Sequence, residues 1–275
     1  MRVTRVNELA GCTALVLVGG LGTRLRSAYA DGPKALAPIE GRPFLAYLLQ
    51  QLADAGLTRV VLCAGYRAEQ IEQWLGDGRR PTSGRPGLDI RYSREDEPLG
   101  TAGALALAYS RYARGERILA MNGDSILQLS LAAMWDLHMK RGAGATIALA
   151  QVPDTSRYGS VEVNEEGWVT SFREKSRERA SGCTQGFGFI NGGVYLFEPS
   201  VMDMVVKSRG VSLEREVLPA QLSRGLLAFR SDGYFIDIGI PEDFARAQRE
   251  LPHRQPGCGS EVDVTFGKLA ERSLG

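Results

Sequence analysis

The sequence predicts an α/β protein with a mainly parallel mixed sheet covered by helices on both faces, arranged as three layers. Short, continuous apolar runs recur along the first two-thirds of the chain, for example at residues 13–18 and 59–65. Segments with apolar residues at helical spacing, such as 42–56, separate these runs. Strands that are apolar throughout are typically buried on both faces, and strand–helix alternation is typical of parallel βαβ units.

The predicted elements follow from these patterns and from capping and turn residues. Strands are expected at residues 13–18, 59–65, 88–93, 117–124, 145–152 and 189–199, with two more around 231–233. Helices are expected at residues 42–56, 67–78, 101–113, 131–142, 212–219 and 241–251. A hairpin is expected at 159–175, with its turn at 164–167. Pro43 is placed in a first helical turn, Thr101 at a helix N-cap, and Pro219 at a helix end.

Composition excludes several classes of protein. The net charge of +1 over 275 residues leaves no excess charge for a nucleic-acid or membrane surface. The four cysteines are scattered and the two histidines are far apart, which argues against a disulfide framework and against a zinc site. No apolar run reaches the length of a membrane span or has the form of a signal peptide. A reducing cytoplasm is therefore the expected compartment.

The stretch at residues 13–39 has the composition of an anion-binding loop. It interrupts an apolar run with three glycines and then two cations, Gly19, Gly20, Gly22, Arg24 and Lys34. The loop has no Gly-Lys pair as in Walker A, and Leu25 occupies the place of the third glycine of the dinucleotide fingerprint. Spare glycines that let backbone N–H groups converge, together with the two cations, suit a triphosphate. A purely structural strand-to-helix turn remains the alternative.

Two carboxylates follow predicted strands. Asp124 ends the strand at 117–124, and Asp237 ends a later strand before a helix that begins with proline. A carboxylate at the end of a buried strand is costly unless it is paired or bound to a metal. Taken alone, a Gly-Asp pair at this place is more often a turn than a ligand.

The loop and the segment after it resemble the signature of the sugar-1-phosphate nucleotidyltransferases, also called nucleotide-sugar pyrophosphorylases. The two matching stretches are "LVGGLGTRLRS" and "GPKALAPIEGRPFLAYLLQQL". The resemblance covers roughly residues 13–250 and implies a Rossmann-like fold, the nucleotide-diphospho-sugar transferase fold. It implies one domain over 1–251, in which 13–152 bind the nucleotide and 153–251 the sugar. The tail at 252–275 stays unassigned, and no hexapeptide repeat indicates an attached acyltransferase.

The resemblance carries functional roles onto matching motifs of this chain, among them "EDEPLGTAGALALA", "MNGDS", "RYGSVEV", "SFREK", "FINGGVYLF" and "YFIDIGIPEDF". Nucleotide contacts fall on Val18, Gly19, Gly20, Gly22, Thr23, Arg24, Glu97, Gly100, Thr101 and Asp124. Contacts to the sugar and its phosphate fall on Tyr158, Gly159, Glu174, Lys175, Asn191, Gly192 and Gly193. The implied cofactor is Mg²⁺ on Asp124 and Asp237. The implied catalytic set is Arg24, Lys34, Asp124 and Lys175.

The reaction implied is attack of a sugar 1-phosphate oxygen on the α-phosphorus of an NTP, with pyrophosphate leaving by direct in-line displacement. The segments "EPLGTAGAL" and "SDGYFIDIGIPEDFARAQ" are similar to those of guanylyltransferases that act on manno-configured sugars. The expected substrates are therefore GTP and D-glycero-α-D-manno-heptose 1-phosphate, with Glu97 or a nearby carbonyl reading guanine. Guanylyl transfer to mannose 1-phosphate and thymidylyl or uridylyl transfer to glucose 1-phosphate remain alternatives.

The wider context of the reaction is expected from the same resemblance. Its product would supply a bacterial cell-surface polysaccharide or S-layer glycan. Neither nucleic acid nor a membrane is an expected partner, and the oligomeric state is left open, a homodimer being one option.

Two other classes of function are weighed against this one. A catalytically silent, nucleotide-sugar-binding regulator on the same fold predicts loss of the metal acids or phosphate-site cations. Asp124, Asp237, Arg24 and Lys34 are all present, which argues against that class. A nicotinamide dehydrogenase is disfavoured by the missing third glycine and by the acids at two strand ends.

Overall fold

The structure, a computed structural model, describes residues 8–30, 32–76, 87–173 and 188–254. Glu174 and Lys175, predicted to bind the sugar phosphate, lie outside the described residues, as does most of the predicted tail.

A seven-stranded sheet forms the centre of the described chain. The strands, including short ones outside this sheet, are β1 (Thr13–Leu17), β2 (Pro38–Ile39), β3 (Arg42–Pro43), β4 (Arg59–Ala64), β5 (Asp89–Arg94), β6 (Ile118–Asn122), β7 (Ser125–Leu127), β8 (Ala145–Val152), β9 (Ser160–Val163), β10 (Val169–Arg173), β11 (Gly188–Phe197), β12 (Leu226–Ser231) and β13 (Phe235–Asp237). The sheet order is β12-β8-β11-β6-β1-β4-β5. Adjacent strands of this sheet run parallel, except that β11 is antiparallel to β6 and to β8. The predicted mainly parallel mixed sheet is therefore confirmed.

Helices cover both faces of this sheet, as predicted. They are α1 (Phe44–Asp54), α2 (Ala68–Leu75), α3 (Gly100–Ala108), α4 (Leu131–Arg141), α5 (Pro199–Ser208), α6 (Leu218–Gln221) and α7 (Pro241–Glu250). On β1, Val16 joins one apolar core with α1, α2 and α4, whereas Leu15 joins the other core with α3 and α5. Because successive strand residues face opposite layers, a strand between two helical layers is apolar throughout. None of the described helices is long and apolar enough to cross a membrane.

Several element boundaries differ from the sequence prediction. Helix α1 begins at Phe44, not at 42, because Arg42 and Pro43 pair with Pro38 and Ile39 in a short antiparallel ladder. Pro43 therefore lies at the N-cap rather than in the first turn.

The predicted N-cap at Thr101 is wrong. Helix α3 begins one residue earlier, at Gly100, whose φ of +72° suits glycine. The N–H of Leu99 donates to Oε2 of Glu95 at 2.7 Å, and the N–H of Ala102 donates to the carbonyl of Val211 at 3.1 Å. These acceptors satisfy the helix start, so the Thr101 side chain is available for another partner. The helix also ends early, at Ala108, and continues as a π-helical turn, Tyr109–Ala113.

The segment predicted as a helix ending at Pro219 has a different form. A π-helical turn, Leu213–Val217, leads directly into α6. Pro219 lies in the first turn of α6, so the predicted stop at this residue is wrong. The predicted hairpin is confirmed as the antiparallel pair β9 and β10.

Candidate active site

A pocket of about 620 Å³ opens at the carboxyl ends of β1, β4 and β6, beside the first turn of α3. Parallel α/β sheets bind their ligands at this edge, and the volume lies within the usual range for small-molecule sites. Eight of the predicted nucleotide and catalytic residues line it: Val18, Gly19, Gly20, Lys34, Glu97, Gly100, Thr101 and Asp124. Gly22, at the end of the loop, and Thr23 and Arg24, in the turn that follows, are not part of the lining.

The glycines of the loop differ in what the fold requires of them. A Cβ on Gly19 would lie 2.9 Å from the backbone nitrogen of Gly65, so the packing of β1 against β4 excludes a side chain there. Gly22 has a φ of +58° and lies against the side chain of Lys34. A Cβ on Gly20 would meet nothing within 4 Å. Nothing in the described packing therefore explains the glycine at position 20.

Gly123 fixes the position of Asp124. Its N–H donates to the carbonyl of Leu17 at 2.9 Å, and a Cβ on Gly123 would lie 2.4 Å from that same oxygen. Only a glycine lets the chain after β6 pass this close to the end of β1. The carboxylate of Asp124 is consequently held at the edge of the pocket.

The structure brings together the two acids predicted to bind metal. Strand β13 pairs with β7, so that Asp237 lies opposite Ser125, the residue after Asp124. The N–H of Ile238 donates to the carbonyl of Asp124 at 3.0 Å. The ammonium of Lys34 lies between the two side chains, 2.7 Å from Oδ2 of Asp124 and 3.6 Å from Oδ1 of Asp237. The side chain of Lys34 is only 11% exposed.

The electrostatics of this pair favour a cation. Burial raises the pKa of Asp237, and the negative charge of Asp124 raises it further. Lys34, the N–H of Gly239 at 2.6 Å and the more distant Arg24 act in the opposite direction. Two adjacent carboxylates repel each other when both are ionised, so a further positive charge stabilises the pair.

The donor set fits Mg²⁺ that arrives with a nucleotide. Within the described residues, no group of three or more His, Cys, Asp or Glu side chains could hold a metal ion by itself. Mg²⁺ usually keeps several waters and is bound by one or two carboxylates plus substrate phosphates. Asp124 and Asp237 supply those two carboxylates next to the glycine loop.

Tyr158 lies on the Asp237 side of the site, outside the pocket lining. Its half-buried ring packs edge-on against Phe235, with centroids 5.7 Å apart, and the guanidinium of Arg157 lies 5.3 Å from the ring centroid. Burial raises the pKa of the Tyr158 hydroxyl, with smaller contributions from the charges of Asp243 and Asp237. Arg157 is held in turn by the buried carboxylate of Asp243. The Tyr158–Gly159 turn is thus anchored to α7.

Asn191, Gly192 and Gly193 belong to a bulge in β11, where three residues, 192–194, lie opposite the single residue Ala148 of β8. The Asn191 amide donates to the Tyr195 hydroxyl at 2.8 Å and accepts from the N–H of Gly193 at 2.9 Å. A Cβ on Gly192 would lie 2.5 Å from a methyl carbon of Leu127. Gly192 is therefore required by packing, and the Asn191 side chain stabilises the bulge in this state.

Three lining carboxylates were not predicted as site residues, namely Glu95, Asp96 and Glu214. Glu95 follows β5, and its Oε1 lies 3.0 Å from the place of a Cβ on Gly19, while the exposed Glu97 lies further along at the rim. Glu214 lines the pocket from the π-helical turn, 113 residues from its hydrogen-bond partner Thr101. The stretch "EDE" at 95–97 indicates acidic residues near the site, but the sequence does not show which of them points into the pocket. No signal in the sequence points to Glu214.

The fold and the site define an enzyme of the sugar-1-phosphate nucleotidyltransferase class. The nucleotidyl transferase family model matches residues 13–254, and the chain belongs to this family. Among its relatives is the D-glycero-alpha-D-manno-heptose 1-phosphate guanylyltransferase of Aneurinibacillus thermoaerophilus, 38% identical over 87% of this chain and 98% of that protein. The mannose-1-phosphate guanylyltransferase of Mycobacterium tuberculosis is 37% identical over 86% of this chain and 64% of that protein.

Solved structures agree with this assignment. HddC from Yersinia pseudotuberculosis, crystallised in complex with GMP-PN, superposes with a TM-score of 0.72 at 31% identity, over 87% of this chain and 99% of that one. A putative glucose-1-phosphate thymidylyltransferase from Bacillus anthracis superposes with a TM-score of 0.76 at 21% identity, over 91% of this chain and 98% of that one, which supports the fold alone. The nucleotide-diphospho-sugar transferase fold expected from the sequence is confirmed.

Proposed function

We propose that this enzyme transfers the guanylyl group of GTP to D-glycero-α-D-manno-heptose 1-phosphate, releasing pyrophosphate and GDP-heptose. The observation that carries the proposal is the convergence of the glycine loop, Lys34 and Asp124 at one pocket, with Asp237 beside them against Lys34. Two polyanionic substrates meet in this reaction, so catalysis depends on charge neutralisation and alignment.

Preference for GTP is supported by Glu95. Guanine presents a ring N–H and an exocyclic NH₂ on one edge, and a carboxylate accepts from both. Oε2 of Glu95 is already held by the N–H of Leu99, which fixes the side chain while Oε1 lies at the glycine loop. Glu95 is therefore proposed to read the base, in place of Glu97, which the sequence first suggested for this role.

Preference for the heptose is supported by the match to the heptose-specific relative, which is 38% identical to this chain over 98% of its own length. Transfer to mannose 1-phosphate is the second candidate, because the mycobacterial mannose-specific relative is almost equally identical to this chain.

The proposed mechanism gives each residue a physical task. Backbone N–H groups of the loop at Gly19 and Gly20 bind the triphosphate, with Val18, Gly22, Thr23, Gly100 and Thr101 forming the surrounding nucleotide site. Lys34 and Arg24 neutralise negative charge on the phosphate that is transferred and on the pyrophosphate that leaves. Mg²⁺ on Asp124 and Asp237 supplies Lewis-acid polarisation of the phosphates when bound. No general base is needed, because the attacking phosphate is already ionised.

The sugar-side assignments remain proposals from the family resemblance. Glu174 and Lys175 are proposed to hold the sugar and to align the nucleophilic phosphate. Tyr158, Gly159, Asn191 and Gly192 are proposed to form the rest of the sugar-binding half, 153–251, opposite the nucleotide-binding half, 13–152. A cytoplasmic location and supply of a cell-surface polysaccharide complete the proposal. The buried, unpaired state of Cys12 and Cys63 is compatible with a reducing compartment.

The test is a substrate panel. Purified protein is incubated with Mg²⁺, each of the four common NTPs and each of three sugar 1-phosphates (heptose, mannose and glucose), and pyrophosphate release is followed. The highest kcat/KM is expected for GTP with the heptose 1-phosphate. A higher kcat/KM for another pair would assign the corresponding alternative substrates. If no pair released pyrophosphate, the catalytically silent regulator would be the supported class.

A further inference from the structure

The carboxylate of Glu214 is held rigidly at the pocket wall. The hydroxyl of Thr101 donates to its Oε2 at 3.0 Å, and the hydroxyl of Ser212 donates to the same oxygen at 3.3 Å. Each hydroxyl in turn accepts a backbone N–H, from Leu213 to Thr101 at 2.8 Å and from Arg215 to Ser212 at 3.1 Å. Each hydroxyl thus accepts one N–H and donates its single hydrogen to Glu214. One oxygen of the carboxylate is thus fully engaged.

The other oxygen, Oε1, is left for a ligand. Across the described residues, no hydrogen bond or ion pair reaches Oε1 of Glu214, although the side chain is half-buried and lines the pocket. A carboxylate oxygen at the pocket wall that has no donor from the described protein can accept a hydrogen bond from a ligand. The ligand at this wall should therefore carry hydrogen-bond donors, and the hydroxyl groups of a sugar are such donors.

The position of Glu214 points to the transferred sugar. Glu214 shares the pocket lining with Asn122, and a Cβ on Gly193 in the bulge of β11 would lie 3.1 Å from the Asn122 side chain. The charge of Glu214 also raises the pKa of the buried Tyr195 hydroxyl. The same hydroxyl accepts from the amide of Asn191 at 2.8 Å. Glu214 therefore shares its pocket with a residue that packs against the bulge of β11, whereas Glu95 lies by the glycine loop.

We propose that Oε1 of Glu214 accepts hydrogen bonds from hydroxyl groups of the transferred sugar and so contributes to the choice of sugar 1-phosphate. The inference rests on the proposed function, since it assigns part of the sugar site of the same reaction. The nucleotide ribose carries hydroxyls of the same chemistry, so the test must separate the two sources.

Equilibrium binding separates them without requiring turnover. GDP-mannose carries the manno-configured ring hydroxyls, and GDP carries the same base, ribose and phosphates without the sugar. The Kd of both ligands is measured by calorimetry for the wild type and for Glu214→Gln, which keeps an oxygen to accept from Thr101 and Ser212. The substitution is expected to weaken GDP-mannose binding about tenfold or more, as for a lost hydrogen bond to a charged group, and to leave GDP binding unchanged.

Glu216→Gln is the matched control. Glu216 lies on the same turn and accepts from the N–H of Val211 at 3.2 Å, but it is exposed and is not part of the pocket lining. This variant should bind both ligands as the wild type does, and both variants should keep the wild-type melting temperature.

Three results would overturn the inference. Equal weakening of GDP and GDP-mannose binding by Glu214→Gln would assign the carboxylate to the ribose. Unchanged binding of both ligands would remove it from the site. Wild-type protein that binds GDP-mannose no more tightly than GDP would show that the sugar makes no favourable contact. Failure of the proposed function is a separate result, seen as absent pyrophosphate release in the substrate panel while this binding difference persists.

Discussion

The ammonium of Lys34 lies 2.7 Å from Oδ2 of Asp124, on the side from which Asp237 also approaches. In the absence of a metal ion, this lysine supplies the positive charge that allows two neighbouring carboxylates to remain together. The relation links the loop after β1 to the ends of β6 and β13, which are distant in sequence. The free energy of unfolding should therefore depend on which cation neutralises these two carboxylates.

Lys34→Gln should increase the response of the protein to Mg²⁺. The variant leaves the two carboxylates without their ammonium, so the free energy of unfolding in chelator should fall by about 1–3 kcal/mol. Mg²⁺ should then raise the melting temperature of the variant more than that of the wild type, because the ion binds the folded pair and not the unfolded chain. Lys140→Gln, on the exposed last turn of α4, is the control. An identical Mg²⁺ response in the Lys34 variant and the wild type would contradict the expectation.

Gly20→Ala should separate a phosphate loop from a structural turn. A Cβ at this position meets nothing within 4 Å, so thermal stability should stay within about 0.5 kcal/mol of the wild type. The added methyl should nevertheless obstruct close approach of the triphosphate and raise the KM for GTP about tenfold or more. Gly19→Ala, whose Cβ would lie 2.9 Å from the nitrogen of Gly65, should lose stability as well. Unchanged kinetics in Gly20→Ala would favour the structural turn.

Glu95→Gln should weaken the choice of base. The wild type is expected to prefer GTP over ITP, which lacks the exocyclic amine, by about 10- to 100-fold in kcat/KM. In Glu95→Gln both kcat/KM for GTP and this preference should fall, because the amide no longer offers a charged acceptor to the guanine edge. The control is Glu97→Gln, which makes the same chemical change at the exposed rim. If Glu97→Gln lost the preference and Glu95→Gln kept it, the assignment of the base-reading residue would revert to Glu97.

His138 should make the fold less stable in mild acid. Its Nδ1 lies 2.7 Å from Oγ1 of Thr146, and burial lowers its pKa from the usual 6.5 despite the opposing effect of Glu198. The unfolded chain then binds more protons than the folded one below about pH 6.5, so stability is complete above that pH and falls as pH decreases.

Urea unfolding between pH 5 and 8 measures this contribution of His138. His138→Gln should lack its part of the slope, which for one proton is at most about 1.4 kcal/mol per pH unit. His253→Gln, at an exposed position, should keep the wild-type slope. The same slope in wild type and His138→Gln would show that His138 does not titrate in this range.

The elements that the sequence predicts best are those whose burial is uniform. Apart from one polar end residue each, strands β1, β4 and β6 are apolar because helices cover both faces of the sheet. The acids predicted at the ends of β6 and β13 lie on either side of Lys34. Helix starts were less predictable. Thr101 has the chemistry of an N-cap, but Glu95 and the carbonyl of Val211 satisfy the start of α3 instead. That arrangement depends on a contact between segments more than 100 residues apart, which no local pattern contains.

The same reason limits prediction of the site. Lys34 could be singled out because a lone Pro-Lys after a glycine loop is unusual, and the structure places it against both acids. Glu214 could not be singled out from the sequence. Its role arises from two hydroxyls, one of them 113 residues away, which hold one carboxylate oxygen and leave the other open. Among the three residues of "EDE", only the geometry at the end of β5 distinguishes Glu95.

The pocket formed by the glycine loop, Lys34 and Asp124, with Asp237 beside it, is proposed to transfer guanylyl groups to the heptose 1-phosphate. Mass spectrometry of the products formed from GTP, heptose 1-phosphate and Mg²⁺ tests it most directly. The expected result is GDP-heptose with one pyrophosphate for each nucleotide-sugar. Asp124→Asn should reduce this product by a factor of about 100 or more, while Asp232→Asn, at an exposed site between β12 and β13, should leave it unchanged. Absence of GDP-heptose from the wild-type reaction, or its full retention in Asp124→Asn, would contradict the claim.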